Sequence, residues 1–506
     1  MENDLFFYTN EIVDVHFKLD GKELFGKIIF TNDSSAYLEI ITNDINISFS
    51  NECPESLFCR SDEHTFKLVK CKKFGRQIHP RLIVLDLPND VDTFENFEMN
   101  INELNVILHD GYFTNTFTDD KFISPMNKRN FNVDILNSDT IEKISDSWEY
   151  RHDISHNNDI ITQFTQRHIL SVGTKKPLPL ENIVSESMHI RLIFSLLTLM
   201  KVNINYLWII HKNRRYSAYY PVMPKNSDLK IEWTKSLIRL KDINEEQWTV
   251  VFNNSYKKEF SYKLWIRFDG MFSYNSYWEY EFLAYMSILD FYLSSKFGKS
   301  NGTFKQKYLK KTSELPQNIT NYIALPEEKF TQLLAIRNGA AHCNPDDLEI
   351  TDDISILMIL KRRLIVLLNY LALKDLGISD EMYAESAYIS HNPVVMNACT
   401  NKKWLKKITG DTLEIVVNTN DYNQLLSEKT SISGIIFTEK DDNSYEINKQ
   451  GSLQLKEGWM EIIKDDISIC DYIDSNISTD KQLFITTYIH QVHIHTHEGD
   501  AANLLI

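Results

Sequence analysis

The chain has 506 residues, 43% of them hydrophobic, which leaves room for roughly two to four domains with real cores. Its net charge of −16 argues against indiscriminate binding to nucleic acid, because most of the surface repels phosphate. The six cysteines are scattered without a CxxC pair, which argues against a zinc ribbon and is typical of thiols kept reduced in a cytoplasm.

Neither a targeting segment nor a membrane span is apparent in the sequence. The acidic start, Met-Glu-Asn-Asp, is unlike a signal peptide. The two most apolar regions, 192–210 and 354–373, are interrupted by lysine, arginine and asparagine residues. We therefore expect a cytoplasmic protein with no membrane partner.

The chain upstream of residue 270 is predicted to be β-rich. Short β-type runs are separated by Asp-Gly, Asn-Asp and Pro turn signals. The predicted strands cover 13–19, 24–30, 36–41, 66–70, 82–87, 104–108, 207–211 and 249–252. The polar stretch 137–159 predicts a linker or long loop, and a helix is expected near 186–201.

Three segments further along predict a helical bundle. The first, 280–297, carries apolar residues at helical spacing: Phe282, Tyr285, Met286, Leu289 and Leu293. The second begins at Phe330, and the third, 353–376, is apolar on most sides, as a central bundle helix would be.

Residues 337–342, Arg-Asn-Gly-Ala-Ala-His, place a permanent cation on the predicted core face of the second helix. Phe330, Leu333 and Leu334 form its apolar stripe, and the next position on that stripe is Arg337. Burying an unpaired guanidinium is too costly, so Arg337 must meet a carboxylate or face a cleft that holds an anion such as phosphate. Asp290, at the edge of the first stripe, is the expected partner; the alternative is an ion pair that only sets the helix register.

This arrangement resembles the HEPN family and, within it, the anti-phage type called ApeA-like. HEPN proteins have an Arg-polar-x-x-x-His motif closing one helix, an acidic residue on a preceding helix, and two protomers whose motifs line one cleft. The motif here is Arg337, Asn338 and His342, with Asp290 where relatives more often have Glu. The resemblance covers about 274–377, is weaker upstream, and does not extend to the last part of the chain. A second Arg-x-x-x-x-His, at 151–156, has no apolar period and is predicted to be a loop.

The resemblance implies a metal-independent ribonuclease that needs no cofactor. His342 would act as general base or acid on a ribose 2′-hydroxyl, and Arg337 would hold the scissile phosphate. Asn338 would orient the phosphate or His342, and Asp290 would position Arg337. On a regular helix Arg337 and His342 point about 140° apart. We therefore expect the helix to loosen or end near Gly339 and the following Asn-Pro, so that both side chains face one cleft.

RNA binding to so acidic a chain requires local basic patches. The residues predicted to form them, unless they are only a solvated face, are Lys299, Lys305, Lys307, Lys310, Arg362 and Arg363.

These observations predict an α+β multidomain protein. Residues 1–270 form a β-rich N-terminal sensing or regulatory region, with a candidate sub-boundary near 137–180. Residues 271–378 form a central all-α HEPN helical bundle, and 379–506 form a mixed α/β C-terminal region of unknown role. The resemblance implies a homodimer or larger even-numbered assembly, cellular RNA such as transfer RNA as substrate, and a phage component, such as a phage protein, as trigger.

Two other functions stay open. One is a non-catalytic HEPN bundle that binds a nucleotide or a protein partner. The other is a metal-dependent hydrolase built on His493, His495 and His497, which alternate and would share one face of a strand. A further candidate metal site lies near the N-terminus, where three cysteines and two histidines occur: Cys53, Cys59, Cys71, His64 and His79.

Overall fold

The structure, a computed structural model, describes much of the chain. The described residues are 11–31, 36–41, 54–108, 116–118, 121–123, 131–155, 161–220, 235–240, 243–274, 277–316, 319, 325–342, 354–399, 435–439, 445–448, 450–455, 457–458, 475–477, 482–488, 491–496 and 501–505.

The protein is α+β, with a large antiparallel sheet in its N-terminal region and helices beyond it. The chain divides into two compact units. Unit 1 comprises Met1–Tyr274 and Leu371–Ser379, and unit 2 comprises Asn275–Tyr370 and Asp380–Ile506.

Unit 1 contains sixteen described strands and four described helices that lie wholly within it. The strands are β1 (Ile12–Leu19), β2 (Lys22–Phe30), β3 (Ala36–Ile41), β4 (Ser56–Arg60), β5 (Thr65–Val69), β6 (Lys72–Phe74), β7 (Gln77–His79), β8 (Leu82–Leu85), β9 (Thr93–Ile101), β10 (Thr116–Thr118), β11 (Lys121–Ile123), β12 (Asn132–Asp134), β13 (Ile141–Ser155), β14 (Ile161–Pro179), β15 (Ile204–His211) and β16 (Arg214–Tyr219). The helices are α1 (Leu104–Ile107), α2 (Leu180–Thr198), α3 (Glu245–Ser255) and α4 (Tyr262–Met271).

Most of these strands form one antiparallel sheet. Its order is β12-β13-β14-β9-β15-β16-β8-β5-β4-β1-β2-β3-β7-β6, and β10 and β11 form a separate hairpin. Alternate residues of β1 to β5 are buried in a shared apolar cluster, as a sheet with one core face requires. Helix α2 packs on β9, β14 and α4, and α3 packs on β12.

The prediction of strands over 13–19, 24–30, 36–41, 66–70, 82–87 and 207–211 is confirmed by β1, β2, β3, β5, β8 and β15, and the helix expected near 186–201 is α2. The strand predicted over 104–108 is wrong, because this segment forms α1. Leu104, Ile107 and Leu108 are buried, and spacings of three and four belong to a helix. The side-chain oxygen Oδ1 of Asn105 accepts from Asn100 Nδ2 at 3.0 Å, a contact that local sequence patterns do not predict.

The strand predicted over 249–252 is also wrong, because it lies inside α3. Asn244 and Gln247 form a capping box, in which each side chain accepts a hydrogen bond from the other's backbone N–H. Trp248, Val251 and Phe252 are buried at helical spacing. The capping signal therefore outweighs the β propensity of the Thr-Val-Val-Phe run.

The linker predicted over 137–159 is a strand over most of its length. β13 pairs with β14 from Ile141 to Ser155, so the start of the second Arg-x-x-x-x-His motif lies in a strand and not in a loop. His156 lies outside the described residues. The polar composition suggested a loop because one of the residues that this strand buries is a carboxylate. Asp146 Oδ2 lies 3.2 Å from Nε2 of the buried His168.

Unit 2 begins with helices and ends in a small sheet. Its helices are α5 (Trp278–Phe297), α6 (Phe304–Ser313), α7 (Glu327–His342), α8 (Ile354–Leu376, which belongs to unit 1 from Leu371), α9 (Asp380–Ile389) and α10 (Pro393–Cys399). Its strands are β17 (Ile435–Glu439), β18 (Tyr445–Ile447), β19 (Gln482–Tyr488), β20 (Gln491–Thr496) and β21 (Ala501–Leu505), in the order β18-β17-β19-β20-β21. None of the helices that the structure describes is long and apolar enough to cross a membrane.

Helices α5, α6 and α7 pack against one another and position the candidate site. The helices predicted over 280–297 and 353–376 are confirmed by α5 and α8. The core face of α7 differs from the predicted stripe, since its buried residues include Phe330, Leu333, Ile336 and Ala340. Arg337 consequently lies at the margin of the core and not inside it.

Candidate functional site

Arg337 and Asp290 form an ion pair that joins α7 to α5. Arg337 Nη2 donates to Asp290 Oδ2 at 3.2 Å. The two side chains are 27% and 30% exposed, so the pair is half-buried. The structure thus brings together the two residues that the sequence paired, although each is closer to solvent than the predicted stripes imply.

The Arg337 guanidinium keeps hydrogen-bonding capacity beyond this ion pair. Its Nε is buried and has no hydrogen-bond partner among the described residues. Its central carbon lies 5.7 Å from the centre of the Phe304 ring, on α6, which places the cation against an aromatic face. A guanidinium carries five N–H donors, so an anion could still bind here through two of them.

A second cation, Lys307, is linked to the Asp290 carboxylate through the hydroxyl of Ser294. Lys307, on α6, is 4% exposed and donates from Nζ to Ser294 Oγ at 3.1 Å and to the Lys299 carbonyl at 3.2 Å. Ser294 Oγ in turn donates to Asp290 Oδ1 at 3.4 Å. The two oxygens of Asp290 therefore have different partners, Arg337 directly and Lys307 by way of Ser294.

Asn338 and His342 lie on the exposed side of α7. They are four residues apart and continue an exposed stripe through Thr331 and Ala335. The helix runs through Gly339 to His342, so the predicted loosening at Gly339 is wrong; the Asn-Pro at 344–345 lies outside the described residues. Within one chain, Arg337 and His342 consequently diverge by about 140°.

The exposed members of the predicted RNA-binding set are Lys299 and Lys310. Lys310 Nζ lies 4.8 Å from the centre of the Phe297 ring. Lys305 is half-buried, and its Nζ lies 2.8 Å from Glu327 Oε1. Its charge is thus already partnered.

Burial removes two of the predicted RNA-binding residues from the surface. Lys307 is 4% exposed and Arg363 is 1% exposed, so their assignment to a surface patch is wrong. Arg363 Nε donates to the Ala398 carbonyl at 3.3 Å. Arg362 is half-buried, and this burial lowers the pKa of its guanidinium.

Comparison of the chain with protein-family models, curated proteins and solved structures finds no match. The candidate site therefore stands on its own geometry.

Among the described residues, no group of three or more histidine, cysteine and acidic side chains is arranged to hold a metal ion. His493 and His495 lie at alternate positions of β20, and His497 lies outside the described residues. Cys53 is outside them as well. Cys59 is buried, which raises the pKa of its thiol, and Cys71 nearby raises it further, so the thiolate that a metal requires is disfavoured.

Three members of this site were not predicted in their observed roles. Ser294 and Phe304 had no predicted role, and Lys307 was predicted to bind RNA at the surface. Ser294 follows Asp290 by four residues, so its place on the same face of α5 was available from helical spacing. Lys307 belongs to a lysine-rich run that is typical of a solvated face. Its burial depends on the packing of α6 against α5 and α7.

Proposed function

We propose that this chain is a HEPN-type endoribonuclease of anti-phage defence, similar to the ApeA-like class. The observation that carries the proposal is the Arg337–Asp290 ion pair between α7 and α5, with His342 five residues further along α7. A cation anchored on one side by a carboxylate and open to further hydrogen bonds suits a phosphodiester. The helices from α5 to α8 are the proposed HEPN bundle.

The proposed reaction uses side chains alone and needs neither a metal ion nor a cofactor. His342 takes the proton from a ribose 2′-hydroxyl, and the 2′-oxygen attacks the adjacent phosphorus. The 5′-oxygen leaves with a proton that the protonated His342 returns as general acid, so the products are a cyclic phosphate and a 5′-hydroxyl end. Arg337 stabilises the charge on the phosphate, and Asn338 orients the phosphate or His342. DNA is not a substrate, because it lacks the nucleophile.

The cleft is proposed to form between two copies of the chain. Arg337 and His342 of one copy diverge on α7, whereas a two-fold pair places two of each residue around one groove.

The remaining regions of the chain restrain the nuclease in the cytoplasm until a phage component releases it. The substrate is cellular RNA, with transfer RNA as the first candidate.

The test is phage challenge of cells that express the wild type or His342→Ala, followed by sequencing of RNA ends. New 5′-hydroxyl ends are expected in the wild type and not in His342→Ala. His156→Ala is the control, because it alters the second motif of the same spacing. Equal numbers of new ends in wild type and His342→Ala would remove the ribonuclease assignment.

A non-catalytic bundle is the second candidate, and the divergence of Arg337 and His342 on one helix favours it. In that case Arg337→Ala weakens binding of a nucleotide or protein partner, and neither Arg337→Ala nor His342→Ala changes any RNA end.

A chelator distinguishes the remaining alternative, a hydrolase centred on the C-terminal histidines. Cleavage by the proposed site survives the chelator, whereas cleavage by a metal site does not.

A further inference from the structure

Lys307 is an unusual residue for the interior of a helical bundle. It is 4% exposed, yet its ammonium contacts a hydroxyl and a backbone carbonyl instead of a carboxylate. Within the part of the chain that the structure describes, no acidic oxygen lies within ion-pair distance of Lys307. A buried ammonium without an opposite charge nearby is strongly destabilised.

A chain of two hydrogen bonds through Ser294 links the Lys307 ammonium to the carboxylate of Asp290. Ser294 Oγ accepts from Lys307 Nζ at 3.1 Å and donates to Asp290 Oδ1 at 3.4 Å. The hydroxyl has one proton and two lone pairs, so it can do both at once. Asp290 Oδ2 is left for Arg337 Nη2.

We infer that Lys307 is a positioning residue of the Arg337 site: through Ser294 it holds Asp290 so that the carboxylate binds Arg337 by one oxygen only. An arginine and a carboxylate without this constraint tend to form two parallel hydrogen bonds, which use two guanidinium donors. With one oxygen of Asp290 directed to Ser294, donors of Arg337 stay available for a phosphate. The inference rests on the proposed function for the identity of that anion.

The charges of this cluster agree with such a role. Among its described members, Arg337 and Lys307 are cations and Asp290 is the anion, so one positive charge remains uncompensated. An anionic ligand at Arg337 would complete the balance in a partly desolvated place, where charge interactions are stronger than in water. Lys307 itself is too buried to touch that ligand.

The first experiment is a double-mutant cycle that combines Lys307→Met with Asp290→Asn in the full chain. It measures the urea concentration at which half of each protein is unfolded. If Lys307 acts through Asp290, the double variant is shifted less than the two single shifts added together. Lys311→Met is the control: it removes the same charge from α6, but its partner is Glu314 at 3.8 Å, so its shift adds to that of Asp290→Asn. Additive shifts for Lys307→Met overturn the inference.

The second experiment counts new RNA ends after phage challenge, normalised to soluble protein. Lys307→Met is expected to lose on the order of tenfold of the cleavage, and Lys307→Arg to recover most of it. In an Asp290→Asn background, Lys307→Met should cause little further loss. Unchanged cleavage in Lys307→Met, or a loss that multiplies with that of Asp290→Asn, overturns the positioning role, because a lysine that only fastens the α5–α6 turn would behave in this way.

Ser294→Ala keeps the inference testable if Lys307→Met does not fold. It removes the bridging hydroxyl and leaves the bond from Lys307 to the Lys299 carbonyl, so cleavage is expected to fall as in Lys307→Met. Ser185→Ala is its control on α2 of unit 1, because Ser185 Oγ donates to the Glu181 carbonyl one turn before it and has no contact with the proposed site. Equal cleavage by the two serine variants overturns the inference.

These readouts separate the inference from the proposed function. If the wild type produces no new RNA ends, the ribonuclease proposal fails, and the urea cycle alone decides whether Lys307 positions Asp290. If the wild type cleaves RNA through His342 but the cycle is additive, the proposed function stands and the role of Lys307 fails.

Discussion

At the scale of single residues, the half-buried state of Asp290 sets how much its ion pair is worth. A fully buried pair loses about 3–5 kcal/mol when one partner is removed, whereas an exposed pair contributes about 0.2–1 kcal/mol. Asp290 and Arg337 are 30% and 27% exposed, between these limits. The central carbon of the guanidinium also lies 5.7 Å from the centre of the Phe304 ring, an additional contact for the cation.

Asp290→Ala is therefore expected to lower the free energy of unfolding by about 1–3 kcal/mol, because it leaves Arg337 without its counter-charge. Asp290→Asn keeps one hydrogen bond and should cost less. Urea titration of the three proteins measures both. An Asp290→Ala protein as stable as the wild type would show that the ion pair contributes nothing to the fold.

His342→Ala is expected to separate catalysis from stability. His342 is exposed on α7, so its removal should change the unfolding free energy by less than about 0.5 kcal/mol. Loss of a general acid or base typically lowers the rate by a hundredfold or more. The measurement is RNA cleavage per folded protein, compared with a urea titration of the same preparation. Loss of cleavage together with a large loss of stability would contradict a purely chemical role.

At the scale of elements, a stack of three rings joins α2 to the end of α3 and to the start of α4. His189 lies between Tyr256 and Tyr262, with ring centres 4.5 and 4.9 Å away and interplanar angles of 6° in both cases. Burial lowers the pKa of His189 to about 4 from its ordinary 6.5, although a bond to the Ser255 backbone opposes the shift. The histidine is therefore neutral inside the fold.

This burial predicts a pH dependence of stability. Between pH 6.5 and 4 the unfolded chain binds a proton at His189 that the folded chain does not, so stability falls as the pH drops through this window. From pH 7 to pH 5 the loss from this residue should be roughly 2 kcal/mol. His189→Phe keeps a stacking ring and cannot be protonated.

The measurement is the unfolding free energy of wild type and His189→Phe at both pH values. The difference between the two proteins should shift by roughly 2 kcal/mol in favour of the variant at pH 5. A difference that is the same at pH 7 and pH 5 would show that His189 does not titrate on unfolding in this range.

The elements also show where sequence patterns suffice and where they do not. Helices α5 and α8 were predictable because long periodic apolar stripes are a local signal. β13 was not, because a strand that buries Asp146 against His168 lacks apolar alternation, and its stability comes from pairing with β14. The helix α3 could have been predicted from its Asn-x-x-Gln capping box.

At the scale of the whole molecule, self-association is the proposal that completes the candidate cleft. On α5, Tyr280 and Phe291 are 47% and 53% exposed and lie on one side of the helix with Ala284 and Ser287. We take this side of α5 as the proposed interaction surface, because two exposed aromatic rings lie on it. It belongs to the same helix as Asp290, so a second copy bound there would bring its own motif to the site.

We therefore predict a homodimer or larger even-numbered assembly that Phe291→Asp converts to monomers, because the change buries a carboxylate in the proposed interface. Light scattering at micromolar concentration measures the mass. Phe74→Asp, at an exposed phenylalanine of β6 in unit 1, is the control and should leave the assembly intact. A wild type that is active and strictly monomeric would contradict the shared cleft.

The sequence by itself identified the residues of the candidate site and the helices that hold them. Arg337 and Asp290 could be paired from two stripes, because helical spacing predicts which side chains face a neighbouring helix. It also determined the β-rich character of the N-terminal region, since strands and turns leave local signals.

Only the tertiary structure decided how deep each charge lies and which partners it has. The core face of α7 passes through Ile336 and Ala340, which moves Arg337 to the margin, and α6 packs so that Lys307 is buried beside Ser294. A lysine in a basic run has the same local pattern whether it faces water or a hydroxyl on another helix. Burial depends on contacts between segments distant in sequence, and no local periodicity encodes those contacts.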